Sequence, residues 1–156
     1  MKAQEVSPAV REIVHTRSGW VCEICGQRRV EEIHHRLGRQ MGGSREPWIN
    51  LAGNLLDLCL ICHRMVTVVP KAGKTDAYRA RGWLVKRGVV PPSAHPVYLW
   101  HGYRLSWWLL DDEGGLARPT PGERIELSMA ASFGVPLDDE SDRFHDRMVD
   151  QEMEDR

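Results

Sequence analysis

The sequence predicts a small α+β domain followed by a β-hairpin and an acidic tail. Three observations carry this reading. Apolar residues at helical spacing give way to short strand-like runs within residues 8–68. A proline-marked stretch then leads into a run of alternating aromatic and aliphatic residues. Beyond Pro119, large apolar side chains become sparse and acidic ones accumulate.

The elements follow in order. Ser7-Pro8 reads as an N-cap with proline at the first helical position. Val10, Ile13 and Val14 continue at helical spacing and Gly19 closes the segment, which predicts a helix over about 8–18. Cys22-Glu23-Ile24-Cys25-Gly26 has the form of a metal-binding knuckle. A strand is expected over Arg29 to His34, and Arg36–Gly53 is loop-like. Leu55, Leu56 and Leu58 suggest a buried second strand, and a helix follows from Leu60 to Val68. A further short helix is expected over Thr75 to Arg81, stopped by Gly82, and Trp83-Leu84-Val85 reads as a strand. Pro91, Pro92 and Pro96 mark a linker. Val97 to Trp100 and Tyr103 to Leu110 read as a hairpin about His101-Gly102. Tyr103, Leu105, Trp107 and Leu109 share one face of it, a pattern more often core than stacking platform.

The chain has 156 residues, 42% hydrophobic and 28% charged, which fits one globular domain with appendages. No stretch approaches the roughly 20 apolar residues that span a membrane, and the N-terminus has no apolar signal core. A cytoplasmic protein without a membrane partner is expected. Charge is divided: residues 1–110 hold 16 Lys and Arg against 8 Asp and Glu, and residues 111–156 hold 5 against 14. A basic body suggests an anionic partner; a solvated basic face is the plain alternative.

Cys22-x-x-Cys25 and Cys59-x-x-Cys62 supply two pairs of thiolates, 33 residues apart. Two-residue spacing lets both sulfurs of a turn reach one ion, and two such turns complete a tetrahedron. Structural Zn²⁺ is the expected occupant. Four cysteines leave no open position for water or substrate, so that ion would do no chemistry. Beside this framework stand His34 and His35 at the end of the first expected strand, Asn54, and His63 at the start of the helix.

Cys22-x-x-Cys25-Gly26, His34-His35-Arg36, Gly42-Gly43 and Asn54-Leu55-x-x-Leu58-Cys59-x-x-Cys62-His63, in that order, resemble the HNH endonuclease family, closest to its zinc-containing bacteriophage form. The resemblance covers residues 20–65. It implies a ββα-metal core in which two strands, a loop and a helix clamp one divalent cation. Together with the elements read above, this divides the chain into an N-terminal helix over 1–19, a nuclease core over 20–69, an extension with a hairpin over 70–118 and an acidic tail over 119–156. His34 matches the first metal ligand, where Asp is a common alternative, and His63 the ligand that opens the helix. His35 matches the general base, and Asn54 the residue that orients that base and steadies the loop. Imidazole in place of carboxylate at His34 would favour Mn²⁺, Ni²⁺ or Zn²⁺ over Mg²⁺.

The implied activity is metal-dependent hydrolysis of DNA phosphodiester bonds, leaving 5′-phosphate and 3′-hydroxyl ends. Phage or prophage origin, action in the host cytoplasm and packaging partners such as a terminase are implied by the resemblance alone. Given that motif, Arg36, Arg39, Arg45 and Arg64 are expected to contact DNA phosphates, with Arg28 and Arg29 nearby. Trp48 reads as a packing anchor, with a wedge against a base as the alternative. Two other functions compete: a zinc-stapled nucleic-acid adaptor with weak or no cleavage, assisting DNA packaging, and a protein-interaction scaffold. Neither requires the histidine and asparagine set.

Overall fold

The computed structural model describes residues 5–39, 44–68, 74–88 and 90–120. The expected Gly42-Gly43 loop, and the acidic tail from residue 121 onward, lie outside the described residues. No described helix is long and apolar enough to cross a membrane. The described residues form a mixed helix and sheet structure with two small antiparallel sheets.

Helix α1 spans Pro8–Ser18. The Ser7 hydroxyl accepts from the Val10 N–H, and Pro8 sits where no donor is needed. Gly19, at φ 63°, ends the helix by donating to Thr16 while Trp20 donates to His15, the paired bonds of a Schellman motif. Val14, flanked by Val10 and Ile13, packs on Val6, Ala52 and Leu55.

A knuckle then reverses the chain. Cys22 donates to the Arg28 carbonyl and Gly26 to that of Cys22, while Val21 bridges Arg29. Strand β1 covers Glu32–His35, later and shorter than the expected run from Arg29. It pairs antiparallel with β2, Leu55–Leu58, in the register Glu32 to Leu58 and His35 to Leu55. A 3₁₀ turn at Ala52–Asn54 feeds β2, and α2, Leu60–Thr67, follows it with Cys59 as N-cap. All four β2 residues are buried. Leu56 and Leu58 join the main core with Val97, Leu99 and Leu110, whereas Leu55 faces α1.

Helix α3 spans Lys74–Ala80. The expected strand at Trp83–Val85 is instead irregular chain. The Trp83 indole donates to the Tyr98 carbonyl, and the Val85 N–H to that of Arg36, so these groups dock on neighbours and extend no sheet. The Pro91–Pro96 linker contains a 3₁₀ turn at Pro92–Ala94, with Pro92 buried. Strands β3, Val97–His101, and β4, Arg104–Leu110, form the hairpin, and β5, Leu116–Ala117, adds an edge. The turn residues are Gly102 and Tyr103, at φ 57° and 65°, one position later than expected. Positive φ at both central residues is what the right-handed twist of a two-residue hairpin demands. Leu105 and Trp107 pack with Tyr98, while Tyr103 is exposed at the tip.

Two buried arginines bind these pieces together. Arg17 makes a two-pronged pair with Glu23, both bonds at 2.8 Å, and also donates to the carbonyls of Ala52 and Leu55. Arg36 overturns its expected role in DNA contact. It is 1% exposed and spends its donors on carbonyls of Gly82, Gly53, Pro92, His95 and Pro96 at 2.7–3.4 Å. Burial, reinforced by Arg17, lowers it to about 9, so it remains charged at neutral pH. A planar fork with five donors suits this cage, which a lysine could not fill. Arg36→Ala should therefore lower unfolding free energy by on the order of 3 kcal/mol, because several buried carbonyls lose their donor. Denaturant titration would read this; an unchanged midpoint together with weakened DNA binding would return Arg36 to the surface role.

Candidate functional site

Two groups of chemistry-bearing side chains meet around the ends of β1, β2 and α2. The first is the cysteine cluster. The knuckle presents Cys22 and Cys25, and the first turn of α2 presents Cys59 and Cys62. Their sulfurs all lie within 4.8 Å of one another, and none is in a disulfide. Cys22, Cys59 and Cys62 are buried and Cys25 is half-buried. Four sulfurs so placed could hold one structural metal ion. Crowding also splits their acidity. Its hydrogen bond with Cys25 pushes Cys22 up to about 12, whereas the bond from Cys22 holds Cys25 far below an ordinary thiol. Cys62, against Cys22 and Cys25, is pushed strongly up. A bound dication removes that conflict by allowing every thiol to ionise.

The second group is built on β1. His34 points inward and is 4% exposed, and its Nε2 donates to the Trp83 carbonyl at 2.9 Å. Burial, the largest influence, lowers it to about 4, so the ring is neutral at pH 7. His63 directly follows Cys62, and its Nδ1 meets the Glu32 carboxylate. The His34 and His63 rings stand edge-on, with centroids 5.6 Å apart. Two imidazoles sharing one ion, each with an N–metal bond of about 2.1 Å, set their centroids roughly 5 Å apart. Each ring has one nitrogen anchored to a carbonyl or carboxylate. That is the outer support usual for metal-binding histidines, and it leaves His34 Nδ1 and His63 Nε2 as candidate donors.

His35 is half-buried on the opposite face of β1. Its Nε2 donates to Asn50 Oδ1 at 3.0 Å, which leaves Nδ1 as the nitrogen with the lone pair. Burial is the main cause of a lowered pKa, opposed by the Asn50 bond and assisted by Arg39 and Arg11. Asn54 does not orient this ring. Its amide donates to the carbonyls of Leu37 and Ile49, and its Oδ1 accepts from the Leu37 N–H at 2.7 Å. Asn54 thus clamps the two limbs of the loop from 36 to 53, and Asn50 within that loop holds His35. Asn54 is 1% exposed beneath the loop and faces backbone groups that need partners, so its amide is spent there and not on His35.

Of the remaining arginines, Arg45 and Arg64 are exposed and Arg39 is half-buried near His35. Arg11, exposed on α1, also acts on His35 from outside the motif. Sequence reasoning missed Glu32, Asn50 and Arg11. Glu32 was within reach, since strand alternation puts it on the face of His34. Asn50 and Arg11 approach through tertiary packing and carry no local signal.

No family model, curated protein or solved structure matches the chain.

The cluster makes a direct prediction. Cys59→Ser should abolish stoichiometric metal in purified protein and lower the unfolding midpoint, because apparent binding energies at such sites reach on the order of 10 kcal/mol. Elemental analysis beside a melting curve checks it. Full metal content and an unchanged melt would contradict the assignment.

Proposed function

We propose that this protein is a metal-dependent DNA endonuclease of the HNH type. Four cysteines would hold structural zinc, and His34 and His63 would hold one catalytic divalent cation. The observation that carries this reading is that all three imidazoles are anchored through one nitrogen, His35 on Asn50, His34 on the Trp83 carbonyl and His63 on Glu32.

The chemistry follows from the residue types. His35 Nδ1 faces no competing donor bond from Asn50 and can take a proton from water near neutral pH. Its lowered pKa keeps it in the neutral, basic form. A divalent ion held by His34 and His63 would supply Lewis-acid stabilisation of charge on the scissile phosphate and the leaving 3′ oxygen. Two protein ligands leave open positions there, unlike the four cysteines. Asn54 fixes the loop that carries Asn50, so the base is held by a supported partner. Arg39, Arg45 and Arg64, with Arg11, are the cations suited to position the DNA backbone.

Incubation of supercoiled plasmid with the protein and Mn²⁺, Ni²⁺ or Mg²⁺ tests the proposal. His35→Ala should slow cleavage by about 100-fold or more, with fold and DNA affinity retained. His63→Ala should raise the metal concentration needed for half-maximal rate. Asn50→Ala should lower the rate, whereas Asn54→Ala should lower stability. Cleavage at the unaltered rate by His35→Ala would overturn the assignment of the base, and absence of cleavage with every ion would overturn the activity.

A further inference from the structure

Among the described residues, the non-glycine positions with positive φ are Trp20 and Tyr103, both at 65°. A bulky side chain is strained there, so an exposed aromatic held in that conformation invites a functional reading. Trp20 is 47% exposed and Tyr103 94%. The two belong to elements distant in sequence, yet Tyr103 lines one groove of about 340 Å³ together with Gly26, Trp100 and His101 and with Gly19 and Val21, the residues on either side of Trp20.

The groove is built, not incidental. The Trp100 N–H donates to the Glu23 carbonyl at 2.7 Å, tying the hairpin to the knuckle. Gly26 lies against the Trp100 ring so closely that a Cβ would come within 2.3 Å of it. His15 stacks on Trp20 at 4.1 Å and 19°, which fixes the indole plane and covers one of its faces. The charge around it is positive. Arg28 and Arg29 are exposed on the same knuckle, where Arg29 bridges Val21, and exposed Arg104 follows Tyr103. Among the described residues no carboxylate lines this groove; Glu12 and Glu113 line the adjoining one. The knuckle attaches to the ribbon at Asp57 and Leu58, the end away from His35.

We propose that this groove binds single-stranded nucleic acid, with Trp20 and Tyr103 stacking on unpaired bases and Arg28, Arg29 and Arg104 meeting the phosphates. Flat aromatic faces beside arginines suit this ligand because every base offers a π-face once it leaves the duplex. Paired DNA keeps its bases stacked on each other, so the surface selects single strands. The inference goes beyond cleavage and stands whether or not the histidine site hydrolyses DNA.

The test is fluorescence anisotropy of labelled 12-nucleotide oligothymidine and a 12-base-pair duplex, with the full chain and no added divalent ion. Tyr103→Ala and Trp20→Ala should each weaken oligothymidine binding about fivefold or more, and duplex binding by less than twofold. Trp20→Phe should retain most of the single-strand affinity, whereas Trp20→Leu should not. Because Trp20 also caps α1, Tyr103→Ala carries the test if the Trp20 variants melt early. Arg28→Ala with Arg29→Ala should flatten the salt dependence. Unchanged oligothymidine affinity in Tyr103→Ala, equal losses for both ligands, or no measurable binding of oligothymidine would each overturn the proposal.

Discussion

The convergence of four sulfurs within 4.8 Å sets where everything else can stand. Cys59 is the N-cap of α2 and Cys62 lies in its first turn, so closing the cluster docks that helix against the knuckle. His63 comes next in the chain. Its position opposite His34 and Glu32 is therefore inherited from the cysteines before it. The same closure holds the knuckle beside β2, where Glu23 donates its N–H to the Asp57 carbonyl. In a small chain the apolar core alone supplies limited stability, and a crosslinking ion is a common remedy. The cluster thus joins fold and proposed chemistry through a single covalent step along the backbone.

Buried charge does the remaining organising. The Glu23 carboxylate accepts both from Arg17 and from the Asp57 N–H, linking α1, the knuckle and β2. Among the described residues Arg36 has no carboxylate hydrogen-bonded to it and works through carbonyls drawn from the loop and from residues 82–96. Its bond to Gly82 precedes Trp83, whose carbonyl anchors His34. The segment after residue 70 is consequently part of the site: it supplies the outer support of one proposed metal ligand. Removing one partner from such networks is costly because the other is left desolvated and unpaired.

Much of the architecture was legible because its signals are local. Ser7-Pro8 and Gly19 bracket α1 by capping chemistry, and Leu55, Leu56 and Leu58 suggest the buried strand that is found at Leu55–Leu58. The cysteine spacing foretold a convergence that the four sulfurs display. What failed depends on distant partners. An arginine next to two histidines looks like a phosphate contact until carbonyls more than 45 residues away are found around it. Asn54 and Asn50 are equally polar, and only the path of the loop decides which reaches His35. Trp83–Val85 has strand-like composition, but its hydrogen bonds are claimed by His34, Arg36 and Tyr98. Tyr103 follows the alternation of the core residues of β4, yet the turn moves it into solvent.

The central claim is that two ions with different duties occupy adjacent sites, one closed by sulfur and one open at imidazole. Anomalous scattering from crystals of the purified protein soaked in Mn²⁺ tests it most directly. The account predicts a zinc peak among Cys22, Cys25, Cys59 and Cys62. It also predicts a separate manganese peak within about 2.3 Å of one nitrogen of His34 and one of His63. A zinc peak alone, or manganese bound through Glu32 with no nitrogen of His34 in reach of it, would contradict it.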